Sequence, residues 1–254
     1  MAQAAGEGLT RDGGRAGRIS QALRRLVRCE PGEGAALFWS CAYFFCLLSS
    51  YYLIRPVRDA MGVAGDGDRL TWLFMGTLGA MFLANPLFGA LVSRFPRRVF
   101  VPVVYHFLGG NLLVFYLLLR VFPGGWGAGI GATFFVWTSV FNLFAVSVFW
   151  GFMADTFRNE QAKRLFGFIG VGGTLGAIAG SLAASWLSGP VGPVNLMLLS
   201  AALLEGAVVC VGRLPRREAL EESAAAPTSR SRPPAPIRPT PLALARRNHG
   251  LSGP

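Results

Sequence analysis

Six stretches of this sequence are long, apolar and almost free of charged residues, and they leave the chain few possible architectures. Each runs roughly 18 to 25 residues, enough for a helix rising ~1.5 Å per residue to cross a ~30 Å hydrocarbon core. The predicted spans are 35–54, 70–92, 100–119, 129–153, 166–187 and 194–211. Because unpaired backbone groups are costly in lipid, the pattern predicts an all-α membrane protein, a bundle of six transmembrane helices.

Composition argues against the two alternative architectures. Hydrophobic residues make up 52% of the chain and charged residues 15%, whereas helices of soluble domains average about 11 residues and carry a polar face. The short alternating pattern of membrane β-strands is missing from the apolar stretches. We therefore predict a six-helix bundle over 35–212. A basic, partly disordered head (1–34) and a disordered tail rich in proline and arginine (213–254) flank it.

The basic residues predict how the bundle is oriented. Twenty of the 24 Lys and Arg residues fall in the head, the tail and the loops after the second and fourth spans. Cytoplasmic segments carry this excess, so both termini are expected in the cytoplasm. Because the basic residues are spread between apolar spans rather than gathered on one face, the expected partner is the lipid bilayer and not nucleic acid.

Catalytic and metal-binding sets are not predicted. The two histidines, His106 and His249, are far apart, and Cys41 and Cys46 lack metal-ligand spacing. We therefore expect no enzyme activity, no metal and no cofactor.

A run of glycines in the fifth span superficially resembles a dinucleotide-binding fingerprint, but it follows no strand. The four-residue spacing of Gly172, Gly176 and Gly180 instead predicts a smooth helix face that another backbone can approach closely.

Polar residues inside predicted spans are the first candidates for function, because lipid exposure of a charged group is costly. His106 in the third span and Glu205 in the sixth stand out, and Asn142 in the fourth is a milder case. Hydrogen bonding between helices is the alternative role for such residues.

The end of the first span carries the densest polar group. If the helix continues, Arg55, Arg58 and Asp59 share one face, since residues three and four apart are helix neighbours. Two guanidiniums beside Tyr51 could bind an anion such as phosphate. Equally, the arginines could anchor the helix at the lipid headgroups.

Four segments carry a resemblance to known transporters. The loop that contains Gly89, Arg94, Arg97 and Arg98 resembles the basic loop between helices two and three of the major facilitator superfamily. The segments YYLIRPVRD (51–59), FWGFMAD (149–155) and EQAKRLFG (160–167) together are similar to the ATP:ADP antiporter family, the nucleotide exchangers of plastids and intracellular bacteria, and to its bacterial relatives. This resemblance covers about residues 35–212.

The resemblance implies one half of a facilitator-like transporter in a bacterial inner membrane, exchanging an anionic solute such as ATP or ADP. Arg55, Arg58 and Asp155 match positions associated with nucleotide transport, and Tyr51, Trp137 and Asn142 would line the same cavity between helices one and four. Family members have two six-helix halves. We therefore expect a truncated product, a half that forms a homodimer or joins a missing second half, or a genuinely short protein. A non-transporting membrane scaffold is the alternative function.

Overall fold

The computed structural model describes residues 33–63, 67–122 and 127–215, and all regular structure in these ranges is helical. Six long helices follow one another, and a 3₁₀ turn, Pro193–Asn195, precedes the last of them. We label them α1 (Glu33–Val63), α2 (Gly67–Arg94), α3 (Arg97–Val121), α4 (Gly127–Thr156), α5 (Asn159–Leu187) and α6 (Leu196–Arg213).

Each of the six helices is long and apolar enough to cross a membrane. This confirms the prediction of an all-helical chain with six candidate spans. The predicted head and tail lie outside the described residues, apart from the few positions that adjoin the bundle.

Two helices extend well beyond their apolar stretches. The first continues nine residues past Ile54 to Val63, through the exposed Pro56. The fifth begins at Asn159, seven residues before the predicted start, where the Gln161 side chain accepts a hydrogen bond from the Arg158 backbone N–H at 3.1 Å. Hydropathy identifies only the apolar part of a helix, so a prediction based on it misses polar turns at the helix ends.

Contacts at the helix ends show that consecutive helices run in opposite directions. One end of the bundle, here called the basic end, joins the starts of α1, α3 and α5 to the end of α6. There the Arg98 guanidinium donates to the Pro215 carbonyl at 2.9 Å, and the Arg213 guanidinium lies 5.6 Å from the Trp39 ring centroid. At the opposite end, Arg120 donates to the Asn195 side-chain oxygen at 3.1 Å.

The first helix is the centre of the bundle. It packs along α4, α5 and α6 and touches α2 at fewer points. Its residues Tyr43, Leu47 and Leu53 are almost completely buried, and Phe44 stacks on Phe149 of α4 with ring centroids 4.1 Å apart. Apolar burial gives no preference for protein over lipid, so specific packing and interhelical hydrogen bonds must hold this arrangement together.

Buried hydroxyl groups supply such bonds. Ser50 of α1 and Ser200 of α6 each donate to the other's backbone carbonyl, at 3.0 and 2.9 Å, and their hydroxyl oxygens lie 2.7 Å apart. Tyr43 donates to Tyr105 of α3 at 2.6 Å, and Tyr105 donates to the Ala145 carbonyl of α4 at 3.0 Å. These bonds tie α1 to α3, α4 and α6 in one register.

Glycines set the contact between α1 and α5. A methyl group at Gly172 would lie 2.8 Å from the Cys41 carbonyl oxygen, and one at Gly180 would lie 2.5 Å from that of Ser49. Gly176, between them, faces the Phe45 backbone, and its carbonyl accepts a bond from the Ser49 hydroxyl at 2.9 Å. The two helices therefore run parallel with backbones touching, and any side chain at these positions would force them apart.

Replacing Gly176 with leucine should destabilise the bundle, because the new side chain collides with the α1 backbone, which cannot rotate away. We expect a loss of at least about 1 to 3 kcal/mol in unfolding free energy. The matched control is Gly167→Leu on the same helix, at an exposed position where an added methyl group meets no atom within 4 Å. Equal midpoint temperatures of thermal unfolding for the two variants in detergent would contradict this contact between α1 and α5.

Candidate functional site

The last turns of α1 gather five polar and aromatic side chains, which we call the arginine cluster: Tyr51, Tyr52, Arg55, Arg58 and Asp59. Because the helix is continuous through Pro56, Asp59 lies beside both arginines. The Arg55 Nε atom is 3.7 Å from one Asp59 oxygen, and an Arg58 terminal nitrogen is 3.5 Å from the other. One carboxylate shared by two guanidiniums leaves these three side chains with a net charge of +1.

The two arginines differ in how they are held. The Arg55 side chain is 49% exposed, and its guanidinium lies 5.6 Å from the Tyr52 ring centroid. The Arg58 side chain is only 14% exposed, and its guanidinium lies over the Phe135 ring of α4, 4.2 Å from the centroid. Its Nε atom is buried without a hydrogen-bond partner among the described residues. Arg58 is thus packed against protein, whereas Arg55 opens outward.

Aromatic residues of α4 support the cluster. Tyr51 is half-buried and stacks on Phe141, with centroids 6.4 Å apart, and Phe141 stacks on Trp137 at 5.3 Å. Asn142 follows Phe141 on α4 and is also half-buried. Tyr51, Trp137 and Asn142 therefore lie at the same level of the bundle.

Asp155 does not belong to this group. Because α4 is antiparallel to α1, Phe135 lies at the level of Arg58, and Asp155 is twenty residues further along α4, about 30 Å away. It stands at the basic end, close to the start of α5. The predicted cavity reached by both Arg55 and Asp155 is therefore not a single compact site in this structure.

A second polar cluster at the basic end links α1 to α5. Glu33, only 3% exposed, accepts a hydrogen bond from the Gln161 amide at 2.9 Å and pairs with the Arg164 guanidinium at 3.1 Å. The sequence hypothesis missed Glu33, because it stands just before the predicted first span and looks like an ordinary polar flank. The signal that could have found it is its three-residue step to Ala36, which lies on the buried face of α1.

The predicted basic loop between α2 and α3 is a two-residue turn. A methyl group at Gly89 of α2 would meet no other atom within 4 Å, Arg94 ends α2 exposed, and Arg97 begins α3. Arg98 reaches the Pro215 carbonyl at the end of α6. Arg98 thus joins the turn between α2 and α3 to the end of α6.

His106 and Glu205, the two ionisable residues predicted to lie inside the membrane, contact each other. The His106 Nε2 atom of α3 lies 3.3 Å from the Glu205 carboxylate of α6. The sequence predicts no partner for Glu205 within α6. Its partner is His106 of α3, almost a hundred residues earlier in the chain. Sequence alone could not reveal this pair, since it depends on the register between α3 and α6.

Comparison of the chain with protein-family models, with curated proteins and with solved structures finds no match. Similarity to the ATP:ADP antiporter family therefore stays a prediction from the motifs, and the site has to be judged on its own geometry.

Replacing Glu33 with alanine should destabilise the bundle, because the variant loses the buried acceptor shared by Gln161 and Arg164. Breaking a buried, hydrogen-bonded charge pair costs about 3 to 5 kcal/mol. Glu160→Ala is the control, because Glu160 lies on α5 one helical turn before Arg164 and is exposed. Unfolding curves in detergent that agree for wild type and Glu33→Ala would show that the pair does not fasten α1 to α5.

Proposed function

We propose that this six-helix unit is part of a membrane transporter for an anionic, phosphorylated solute, and that Arg55 and Arg58 supply the positive charge that binds the anion. The observation that carries the proposal is the state of Arg58: a guanidinium packed over Phe135, sharing a single carboxylate with a second arginine. Burying such a charge is costly unless something compensates it.

The anchor alternative fits Arg58 poorly. An arginine that anchors a helix at the headgroups extends its side chain away from the protein and exposes the guanidinium. Arg58 instead turns back onto α4 and keeps only 14% of its side chain exposed. Arg55, half-exposed beside Tyr52, is compatible with either role, so Arg58 is the residue that distinguishes them.

The chemistry of the cluster suits phosphate. A guanidinium presents several N–H donors in a plane, which matches the oxygens of phosphate in two-point contact. Tyr51 and Tyr52 add hydroxyl donors and aromatic faces, and their rings meet edge to face at 5.3 Å. Aromatic faces beside paired arginines also suit a stacked nucleobase, which agrees with the ATP or ADP expected from the resemblance.

Orientation and assembly complete the proposal. With both termini in the cytoplasm of a bacterial inner membrane, the arginine cluster faces the external side. Arg55 and Asp59 are about half-exposed, so the solute would reach them from outside the bundle. A second six-helix unit, either another copy or a separate half, would close the other side of the cavity. A scaffold protein would need no such pair of arginines sharing one carboxylate among the described residues.

The test is equilibrium binding of labelled ATP to the full chain in lipid nanodiscs. Losing one charge-assisted contact costs about 1.5 to 3 kcal/mol, so Arg58→Gln should weaken binding roughly tenfold or more. Arg58→Lys should restore only part of it, because a point charge cannot replace the planar fork. Arg55→Gln should have a similar effect.

Arg120→Gln is the matched control, since Arg120 lies at the same end of the bundle but bonds to Asn195. It should bind ATP like the wild type. Saturable binding that survives replacement of both cluster arginines would make them lipid anchors. A wild type that binds neither ATP nor ADP at millimolar concentration would favour the scaffold function.

A further inference from the structure

In the pair formed by His106 and Glu205, Glu205 lies at the middle of α6 and His106 lies in the first half of α3. Each residue is nine positions after the first residue of its own helix, Arg97 or Leu196, which is about 14 Å along the axis. In a helix that crosses a ~30 Å hydrocarbon core, this depth is remote from both headgroup layers. Ionisable residues at such depth are rare, and they characteristically mark ion and proton pathways.

The geometry of the imidazole fixes where its protons are. The Nδ1 atom lies 2.7 Å from the Pro102 carbonyl oxygen, one helical turn earlier. A carbonyl oxygen can only accept, so Nδ1 carries a hydrogen. The Nε2 atom, 3.3 Å from the Glu205 carboxylate, is then the ring position free to gain or lose one. The pair is neutral overall with a proton between Nε2 and the carboxylate, and carries a charge of −1 without it.

The pair is not consumed by packing inside the bundle. The His106 and Glu205 side chains are 56% and 51% exposed, on a face shared with the exposed Val103, Phe107 and Val209. The hydrogen bond between Ser50 and Ser200 is fully enclosed by protein, whereas this pair lies on the outer surface of the bundle.

Other titratable groups on the packed helices are set apart from the pair. Tyr105 of α3 turns inward to Tyr43 of α1, and Cys46 of α1 faces Gly206 of α6 and lies near Cys210. Among the described parts of α3 and α6, the nearest charged side chains along the chain are Arg98 and Arg213, each eight residues away at the basic end.

We propose that His106 and Glu205 form an intramembrane site that binds one proton reversibly. The ligand is H⁺ itself: it joins the Nε2 lone pair or a carboxylate oxygen, and no other bond changes. This site is separate from the arginine cluster and stands whether or not the cluster binds a nucleotide. A purely structural ion pair would instead keep the same protonation state across the whole pH range of the titration described next.

The experiment uses the full chain in nanodiscs with ¹⁵N-labelled histidine. The chain has two histidines, so His249→Gln leaves His106 as the single imidazole signal. Nitrogen chemical shifts recorded from about pH 4 to about pH 9 report the protonation of each ring nitrogen. We expect Nδ1 to stay protonated throughout, while Nε2 exchanges its proton within this range.

Two further variants test the role of the carboxylate. Glu205→Gln should loosen the Nε2 proton roughly tenfold, because an opposite charge at this distance stabilises the protonated ring. Glu160→Gln, which removes an exposed carboxylate on α5, should change nothing. The wild-type spectra decide the site even if Glu205→Gln fails to fold. A fixed protonation state of Nε2, loss of the Nδ1 proton, or an unchanged titration in Glu205→Gln would each overturn the proposal.

Discussion

Backbone contact between α1 and α5 is the constraint on which the rest of the bundle depends. In lipid, apolar surface alone gives helices no reason to associate, so the close approach at Gly172, Gly176 and Gly180 and the hydroxyl bonds of α1 must supply specificity. Once α5 fixes one side of α1, the Ser50 and Tyr43 bonds fix its register against α6 and α3. The Glu33 cluster fastens the same two helices at the basic end.

This fixed central helix explains how two arginines that share one carboxylate among the described residues can be held at its far end. Because α1 continues through Pro56 as a helix, the residues after the proline follow the same helical periodicity as those before it. Arg58 is thereby turned toward Phe135 rather than toward solvent, and Asp59 lies between the two arginines. The position of the proposed anion site thus depends on packing about 15 Å away along the same helix. The His106 and Glu205 pair depends equally on the α3 and α6 register set by α1.

The sequence predicted the six helices, because long uncharged apolar stretches have few other physical outcomes. It also placed Arg55, Arg58 and Asp59 on one face, since that follows from helical spacing. It could not supply Phe135 beneath Arg58, because one phenylalanine in an apolar helix resembles any other. Nor could it supply the pairing of His106 with Glu205 or the role of Glu33, which depend on helix register. Asp155 was grouped with Arg55 by resemblance, and the antiparallel course of α4 separates them.

The continuity of α1 beyond Ile54 is the most direct point to measure. In a background without native cysteines, single cysteines at positions 54, 55, 57 and 59 can be exposed to a water-soluble thiol reagent in permeabilised membranes. The structure has positions 55 and 59 exposed and 54 and 57 buried. Rapid labelling at 55 and 59 with slow labelling at 54 and 57 is the predicted result. Uniform labelling at 55, 57 and 59 would mean that the helix ends near Ile54, and the arginine cluster would lose its geometry.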